Sequence, residues 1–205
     1  MCGRYALSTT YEALQAHFAL KEHFCFVPQY NIAPGQILLT IVPEGKIRFM
    51  RWGFRPAWAQ PDSATYNNAR LETIREKASF KHSFSTRRCL IPASGYFEWK
   101  VGPRGKQPYY ITQFHGLLAF AGIWEGDGVA ILTEPALPEL RTIHERAPVV
   151  VNQANYLAWL KNEDHCLDHQ ESPKKWTFYP VSTQVNQPSW NSSQCLMPLN
   201  DALLR

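Results

Sequence analysis

Short β-rich runs, separated by proline, glycine and polar turns, constrain the fold of this chain more than any other feature of its sequence. Runs rich in β-branched and aromatic residues are typical of strands, and the Pro and Gly clusters between them are typical of turns. Pro43 to Gly45 predicts a hairpin, Pro103 to Gly105 predicts a second turn, and residues 30–35 are predicted to form a loop because Pro34 and Gly35 interrupt regular structure. Strands are predicted over residues 37–42, 46–54, 89–92, 96–101, 109–112, 117–124, 129–133 and 178–181.

Few helices are predicted, and all of them are short. Thr9 followed by Glu12 has the spacing of a capping box, and residues 71–86 are predicted to form short helical turns. Asn152 is predicted to cap a short helix that ends at Lys161. With 205 residues, of which 45% are hydrophobic, the chain is long enough to build a sizeable core. The predicted fold class is therefore α+β, a single domain over residues 1–205 with an antiparallel sheet or open β-barrel-like core and short flanking helices.

Several classes of protein are excluded by composition. No run approaches the roughly 20 apolar residues that span a membrane, and the first ten residues lack an apolar signal region, which predicts an intracellular protein that is not secreted. The five cysteines are odd in number and contain no Cys-x-x-Cys pair, so four of them are predicted to be buried thiols. No glycine-rich loop follows a predicted strand, and neither a nucleotide cofactor nor a metal is expected.

Charge is distributed unevenly along the chain. The net charge of +4 combines +8 over residues 1–124 with −4 over residues 125–205, and residues 70–88 by themselves carry +4. A distribution of this kind is typical of proteins with an anionic partner such as nucleic acid. A solvated basic helix would give the same pattern, so charge leaves both interpretations open.

Cys2 is the most unusual position for chemistry. Removal of Met1 would leave an N-terminal cysteine whose α-amine and thiol are both partly nucleophilic near neutral pH. Such a pair can act as an N-terminal nucleophile with the amine as base. It can also capture an aldehyde, since the amine forms an imine to which the thiol adds, closing a thiazolidine. The alternative is an incidental cysteine in a frayed terminus.

Three further positions are candidates for acid–base or polar chemistry. Glu98 is flanked by aromatic residues, where lost solvation would raise the pKa of its carboxyl group, although strand alternation also permits a solvent-facing side chain. His144 comes just before an apolar strand, where an acid–base histidine or a surface loop histidine would both fit. Asn68 can orient a neighbour through its amide or cap a turn.

Arg4, Arg70 and Arg146 each stand within two residues of one of these candidate positions. Guanidinium groups hold phosphates in a fixed, bidentate geometry, so the repeated pairing indicates an anionic substrate. Pro34 and Trp58 lie in predicted loops, where exposed apolar groups can stack on bases or insert between them.

Taken together, these residues resemble the SOS response-associated peptidase (SRAP) family of abasic-site processing proteins. No single motif would be specific, but the set occurs in the family's order and spans nearly the whole chain. The motifs are Met1–Arg4, Tyr30–Gly35, Trp52–Gly53, Asn68–Thr73, Arg88–Trp99, Gln107–Tyr109, Ala121–Trp124, His144–Val149, Pro180–Ser182 and Val185–Asn186.

The resemblance implies a function in the response to DNA damage. In such a protein Met1 is removed, and Cys2 forms a thiazolidine with the ring-opened aldehyde of an abasic site in single-stranded DNA, a covalent cross-link that shields the lesion. By resemblance, Asn68 orients Cys2, His144 promotes opening of the sugar ring, and Glu98 moves protons during imine formation, ring closure and reversal.

The resemblance also implies how the DNA is held. Arg4, Arg70 and Arg146 would bind phosphates, while Pro34 and Trp58 would line the DNA channel. The expected partner is single-stranded DNA with abasic sites, with single-strand/double-strand junctions as a further candidate, bound by a monomer that needs no cofactor and associates with the nucleoid. An autopeptidase (hydrolase) activity and a lyase activity through the imine are implied as well.

Two departures from the family pattern concern the DNA-binding geometry. Glu134-Pro135 follows Thr133 where a second Thr is more usual, and Ala59 follows Trp58 where some members carry a second aromatic residue. Two other classes of function stay open at this point. One is an amidohydrolase with Cys2 as N-terminal nucleophile, and the other is a protein that binds single-stranded DNA without covalent chemistry.

Overall fold

The structure of the chain is a computed structural model that describes residues 2–103, 105–113, 116–164 and 176–199. The helices are short, as the sequence predicts: α1 (Tyr11–Phe18), α2 (Lys81–Thr86) and α3 (Tyr156–Leu160). The strands are β1 (Tyr5–Leu7), β2 (Gln29–Ile32), β3 (Ile37–Val42), β4 (Lys46–Trp52), β5 (Asn68–Arg70), β6 (Arg88–Ala93), β7 (Gly95–Gly102), β8 (Gly105–Gln113), β9 (Leu118–Glu125), β10 (Gly128–Pro135), β11 (Arg146–Pro148) and β12 (Trp176–Pro180).

These strands form two sheets. The first has the order β12-β8-β7-β1-β2, and all of its neighbours are antiparallel. The second has the order β11-β10-β4-β3-β6-β9, with β5 added at β10. It curls far enough for β9 to pair with β10 as well, which makes it resemble an open barrel without being a strict one. The predicted α+β class is confirmed.

One part of the second sheet departs from the predicted antiparallel arrangement. Strand β10 runs parallel to β4 and to β5. Parallel neighbours need long crossover connections, and their pairing is not visible in local sequence patterns. Strand β10 thus becomes the hub of this sheet, because β5 and β11 both pair with its carboxyl-terminal half.

The main hydrophobic core lies between the two sheets. Side chains alternate across a strand, so Tyr5 and Tyr96 point into this core and stack edge-on against Phe120 of the second sheet. Ala6 and Phe97 point the other way, into a smaller cluster that is covered by Val185 and neighbouring residues. The first sheet is therefore buried on both faces around β1 and β7.

Local predictions are corrected in four places. Residues 29–32 are strand β2 and not a loop, since β1 supplies a pairing partner that sequence alone does not reveal. Helix α1 is capped by Thr10 instead of Thr9, and the Thr10 hydroxyl accepts a hydrogen bond from the Ala13 N–H (3.2 Å). Asn152 stands at the N-cap position of the 3₁₀ turn Gln153–Asn155, which leads into α3, but its side chain makes no capping hydrogen bond. Cys25 is exposed, whereas Cys89 and Cys195 are buried as predicted, and Cys166 lies outside the described residues.

Gly95, at the start of β7, is required by a close approach of two strands. A Cβ atom at this position would lie 2.6 Å from the Ile111 carbonyl oxygen and 2.6 Å from the Tyr110 ring. We expect Gly95→Ala to lower the free energy of unfolding by about 1–3 kcal/mol, the usual cost of overpacking a filled core. Gly102→Ala is the matched control, because its Cβ would meet nothing closer than 3.7 Å. Urea unfolding of both variants checks this, and equal stabilities would contradict it.

Candidate functional site

Cys2 and Glu98 are brought together by the first sheet. Strand β1 pairs antiparallel with β7, with Tyr5 opposite Tyr96, and the Phe97 N–H donates to the Arg4 carbonyl (2.9 Å). The chain that precedes β1 therefore runs alongside β7 toward Glu98. Glu98 has the same strand parity as Tyr96, so its side chain faces the second sheet and is only 3% exposed. The alternative of a solvent-facing Glu98 is excluded.

Asn68 and His144 come from the second sheet, through its hub strand. Asn68 is the first residue of β5, opposite Ile131 of β10. His144 stands two residues before β11, whose first residue, Arg146, lies opposite Pro135 of the same strand. The site thus lies at the junction of the two sheets, and each sheet contributes two of the four candidate residues.

A direct hydrogen bond joins the two halves of the site. The Asn68 side-chain amide donates from Nδ2 to the Cys2 carbonyl oxygen (2.9 Å). Its Oδ1 atom is buried and has no hydrogen-bond partner among the residues that the structure describes. A buried amide oxygen in this position can accept a hydrogen bond from an amine or hydroxyl group that enters the site.

Burial controls the protonation of both reactive groups. Burial raises the pKa of the Glu98 carboxyl above its ordinary value, because the charged form loses solvation. The Cys2 thiol is fully buried, and its pKa lies well above the ordinary range because of desolvation and, secondarily, the charge of Glu98. The thiol is therefore held protonated, and it needs an acceptor for its proton when it reacts.

An open groove of about 600 Å³ adjoins these residues. Glu98 and His144 line it at one side. Trp99 also lines it, and the indole N–H of Trp99 donates to the Asn186 side-chain oxygen (2.7 Å), which fixes the ring. Its remaining lining residues are Val101, Lys106 and Asn186. The groove is large enough for a sugar and its neighbouring groups.

His144 is half-buried, and its ring is held by the first residue of β11. The Arg146 N–H donates to His144 Nδ1 (3.0 Å), and the Arg146 carbonyl oxygen lies 3.2 Å from the same nitrogen. When the ring is neutral, this N–H donation places its proton on Nε2. When Nδ1 is protonated, the carbonyl is ready to accept from it. The backbone of Arg146 therefore offers Nδ1 a hydrogen-bond partner in both protonation states of the imidazole.

The three candidate arginines have different environments. Arg70 is exposed on β5. Arg4 is buried, and its guanidinium donates to Asn31 Oδ1 (2.8 Å) and to the Val185 carbonyl oxygen (2.5 Å). Arg146 is ion-paired with Glu72. In this structure, Arg70 is thus the one of the three whose side chain is exposed, while the other two arginines hold internal partners.

Pro34 and Trp58 are exposed in two loops near the same end of β4. The turn that contains Pro34 is attached by a hydrogen bond from the Gly35 N–H to the Trp52 carbonyl (2.8 Å), and Trp58, which is 68% exposed, lies in the loop that follows β4. The indole of Trp52 donates to the Asn67 carbonyl (2.8 Å), one residue before Asn68. Trp52, the last residue of β4, therefore hydrogen-bonds both to the turn that contains Pro34 and to the residue before Asn68, and the loop with Trp58 follows it in the chain.

Some of the charges that are separated along the sequence are paired in space. Ion pairs join the basic and acidic parts of the chain, and several involve the basic segment 70–88. The pairs are Arg75 with Asp164 (2.8 Å), Arg88 with Asp164 (2.5 Å), Arg87 with Glu125, and Arg146 with Glu72. Arg88 is also almost fully buried. Among the described residues, three of the six basic side chains of segment 70–88 are thus paired with acidic side chains of the second half.

Sequence reasoning missed residues that the fold adds to the site. Trp99, Lys106 and Asn186 line the groove, and Glu72 holds Arg146. Glu72 falls in the same short motif as Asn68, and Trp99 directly follows Glu98, so both could have been suspected from position. Nothing local marks Lys106, because it reaches the groove through the pairing of β7 with β8.

The described residues hold neither a metal-binding cluster nor a membrane-spanning helix. Within ranges 2–103, 105–113, 116–164 and 176–199, His, Cys, Asp and Glu side chains form no group of three that could hold a metal ion. In the same ranges, no helix has the length and apolar character needed to cross a membrane.

Comparisons with known proteins agree on one family. Residues 1–188 match the family described as SOS response associated peptidase (SRAP). The abasic site processing protein YoqW of Bacillus subtilis is 32% identical, over 96% of this chain and 99% of the relative. The abasic site processing protein YedK of Escherichia coli is 28% identical, over 97% and 100%.

Solved structures agree with the fold. The crystal structure of a protein from Bacteroides thetaiotaomicron superimposes with a TM-score of 0.83 and 21% identity, covering 97% of this chain and all of the other. A phage-related protein from Bordetella bronchiseptica gives a TM-score of 0.70 with 30% identity, covering 88% of this chain and 94% of that protein.

Proposed function

Because this chain belongs to the SOS response associated peptidase (SRAP) family, we propose that it processes abasic sites in single-stranded DNA by capturing them covalently on Cys2. The observation that carries the proposal is the placement of Cys2. It is the second residue of the chain, its backbone is held by Asn68, and it lies near Glu98, a buried residue that lines the groove. These are the parts that aldehyde capture by an N-terminal cysteine requires.

The reaction starts once Met1 has been removed and the α-amine of Cys2 is exposed. An abasic sugar is mostly a closed hemiacetal, and it opens when one proton leaves its C1 hydroxyl and another reaches the ring oxygen. In this proposal His144 moves these protons. The backbone partner that its Nδ1 has in both protonation states, and its position in the groove lining, support that role. The amine then attacks the aldehyde and forms an imine with loss of one water.

Ring closure completes the adduct. The Cys2 sulfur adds to the imine carbon, and the proton of the thiol ends on the nitrogen, so no atom is lost in this step. Glu98 is suited to carry that proton because burial raises its pKa toward the range in which a carboxyl group can both accept and return a proton near neutral pH. The raised pKa of the Cys2 thiol supports this order, with the amine first and the thiol second.

The DNA itself would be held by few charges. Arg70 is exposed beside Asn68 and is the strongest candidate for a phosphate contact, while Pro34 and Trp58 present apolar groups on which bases can stack. The proposed partner is single-stranded DNA inside the cell, at the nucleoid, bound by one copy of the chain; contact with a junction would use the same exposed loops.

Reversal through the imine also provides the route by which a lyase reaction would proceed, and a peptidase reaction would use the same Cys2.

Intact-protein mass spectrometry tests the proposal. After incubation with an abasic oligonucleotide, we expect one adduct per chain, with the mass of the chain lacking Met1 plus the DNA minus one water. An oligonucleotide that carries a tetrahydrofuran in place of the abasic sugar has no aldehyde and should give none. Glutaminase activity without DNA would support the amidohydrolase alternative. Binding that ignores the abasic site would support the non-covalent alternative, and either result would contradict the proposal.

Arg70→Ala is expected to weaken the binding of single-stranded DNA equally for all sequences. Loss of one phosphate contact should lower the slope of log affinity against log salt by about 0.7, the value for one phosphate of a single strand. Lys161→Ala, at the end of α3, is the matched control and should leave the slope unchanged. Fluorescence anisotropy over a salt series measures both, and an unchanged slope for Arg70→Ala would exclude this contact.

A further inference from the structure

We propose that a second cavity, here named the base cavity, holds one base of the bound single strand, with Arg51 at the phosphate beside it. The base cavity has a volume of about 260 Å³ and is lined by residues of β1 to β4 and of the segment 25–27 before β2. It shares no lining residue with the groove beside Glu98. This inference rests on the proposed function, because it takes single-stranded DNA as the partner.

The lining of the base cavity is apolar and open to solvent. Val27 is 67% exposed, Phe49 is 55% exposed and Ile37 is 47% exposed, and all three belong to the lining. Large apolar side chains that cluster at the surface of a soluble protein are typical of a binding site. The volume lies at the small end of the range for ligand pockets, which suits a single planar ring system better than a large ligand.

Two aromatic rings in the lining are held in place by a third. Phe24 packs edge-on against Phe26 and against Phe49, with ring centroids 6.5 Å and 5.9 Å apart. Fixed rings of this kind are platforms on which a base of any sequence can stack. Gln29 adds a side-chain amide to the lining, which can donate to and accept from the edge of a base.

Arg51 supplies positive charge on the same face of the sheet. In the hairpin of β3 and β4, Ile37 lies opposite Arg51 and Leu39 lies opposite Phe49. Opposite residues, and residues two apart on one strand, share a face, so Arg51 lies next to the apolar lining. Its exposed guanidinium donates to the Gly35 carbonyl (2.6 Å), in the turn that contains Pro34. An exposed guanidinium beside aromatic surfaces is the combination that binds a phosphate and its base in a single strand.

The charges at the two ends of the base cavity give the strand a direction. Ile47 lies on the same face, two residues from Phe49 and on the side away from Arg51. At that end the Glu22 carboxylate accepts a hydrogen bond from the Ile47 N–H (3.3 Å). An acid disfavours a phosphate, whereas Arg51 and the Pro34 turn mark the opposite end. The strand should therefore reach the base cavity past Pro34, from the side of the candidate site.

Fluorescence anisotropy with an intact single-stranded oligonucleotide, which has no abasic site, tests the two parts separately. We expect Phe49→Ala to weaken binding about 5- to 100-fold, the effect of losing one stacked base, with an unchanged salt slope. Arg51→Gln retains a donor for the Gly35 carbonyl, and it should lower the slope of log affinity against log salt by about 0.7. Leu157→Ala removes a side chain of α3 that is 72% exposed, and as the matched control it should bind like the wild type.

The thiol of Cys25 reports occupancy in the unmodified protein, so the test does not depend on how a variant folds. Cys25 is exposed and belongs to the lining, although the proposal needs no contact from its thiol. At a DNA concentration ten times the Kd, we expect alkylation of Cys25 by a maleimide to slow about tenfold, because only about one chain in eleven is then free. Mass spectrometry of the peptide that contains Cys25 measures the rate.

Two results would overturn the proposal. One is wild-type affinity in Phe49→Ala together with a wild-type salt slope in Arg51→Gln, and the other is alkylation of Cys25 at the same rate with and without bound DNA. If Cys25 is protected but no adduct forms with an abasic oligonucleotide, the proposed function fails and the base cavity stands. If the adduct forms and Cys25 stays unprotected, the proposed function stands and the base cavity is refuted.

Discussion

Replacing Cys2 with alanine is expected to abolish the heat-stable adduct with abasic single-stranded DNA, to below about one-thousandth of the wild-type rate. The variant keeps the α-amine after Met1 removal, so it can still form an imine, but it has no sulfur to close the ring. Cys2→Ser should also fail, because a hydroxyl group closes the ring poorly. Denaturing electrophoresis after heating measures the adduct.

Reduction with borohydride tests whether the amine of residue 2 reacts with the aldehyde before the thiol does. Because the amine reacts before the thiol, borohydride should trap a covalent imine product with Cys2→Ala and with Cys2→Ser. Without reductant, neither variant should retain DNA. Cys25→Ala is the matched control, since Cys25 is an exposed thiol that could react adventitiously, and it should behave like the wild type. A heat-stable adduct of Cys2→Ala without reductant would refute the mechanism.

Glu98→Gln is expected to slow adduct formation by about 100-fold, the lower end of the range for loss of a general acid–base group. Glutamine has nearly the same shape but cannot take the proton of the Cys2 thiol or return it to the nitrogen. Rates over a pH series measure the effect, and the titration of the buried carboxyl should disappear from the profile. Glu76→Gln, an exposed carboxylate in the basic segment, should leave both rate and profile unchanged. A wild-type rate in Glu98→Gln would remove Glu98 from the proton pathway.

The same substitution has a signed effect on stability. Burial raises the pKa of Glu98 in the folded chain, so the folded state binds more protons than the unfolded state between the ordinary carboxyl pKa and the raised one. The stability that comes from protonated Glu98 is complete below the ordinary pKa, and it is lost as the pH rises through the folded pKa. The free energy of unfolding of Glu98→Gln minus that of the wild type should therefore become more positive between pH 4 and pH 7. Urea unfolding at both pH values tests this. A variant-minus-wild-type difference that becomes more negative with rising pH contradicts it.

Prediction from sequence worked best where a local pattern is sufficient. The hairpin of β3 and β4 was predicted because Pro43 and Gly45 separate two runs of β-branched and aromatic residues. The strands from β6 to β10 were predicted for the same reason, with ends shifted by a few residues. The short strands β1, β2 and β5 were not predicted. Each has three or four residues, which is too few for alternation to show, and each is defined by a partner far away in the chain.

The candidate site could be predicted from local sequence patterns only in part. Glu98 was left between burial and exposure, because alternation does not tell which face of β7 meets another sheet. The core between the sheets decides this, since Tyr96 and Glu98 share the face that packs on the second sheet. Arg4 and Arg146 have hydrogen-bond or ion-pair partners within the chain that no local sequence pattern reveals, and their contact with DNA stays a prediction.

By itself, the sequence determined the strand-rich fold class, the special chemistry of a cysteine at position 2, and the set of residue types that could assist it. These depend on local composition, spacing and position in the chain, which need no knowledge of contacts. The tertiary structure decided which of these residues meet, since Cys2 and Glu98 come from one sheet and Asn68 and His144 from the other. It also decided which charges meet, because side chains from the basic and acidic parts of the chain form ion pairs such as Arg87 with Glu125 and Arg88 with Asp164. Electrostatic energy depends on distance in space, and distance along the chain does not reveal it.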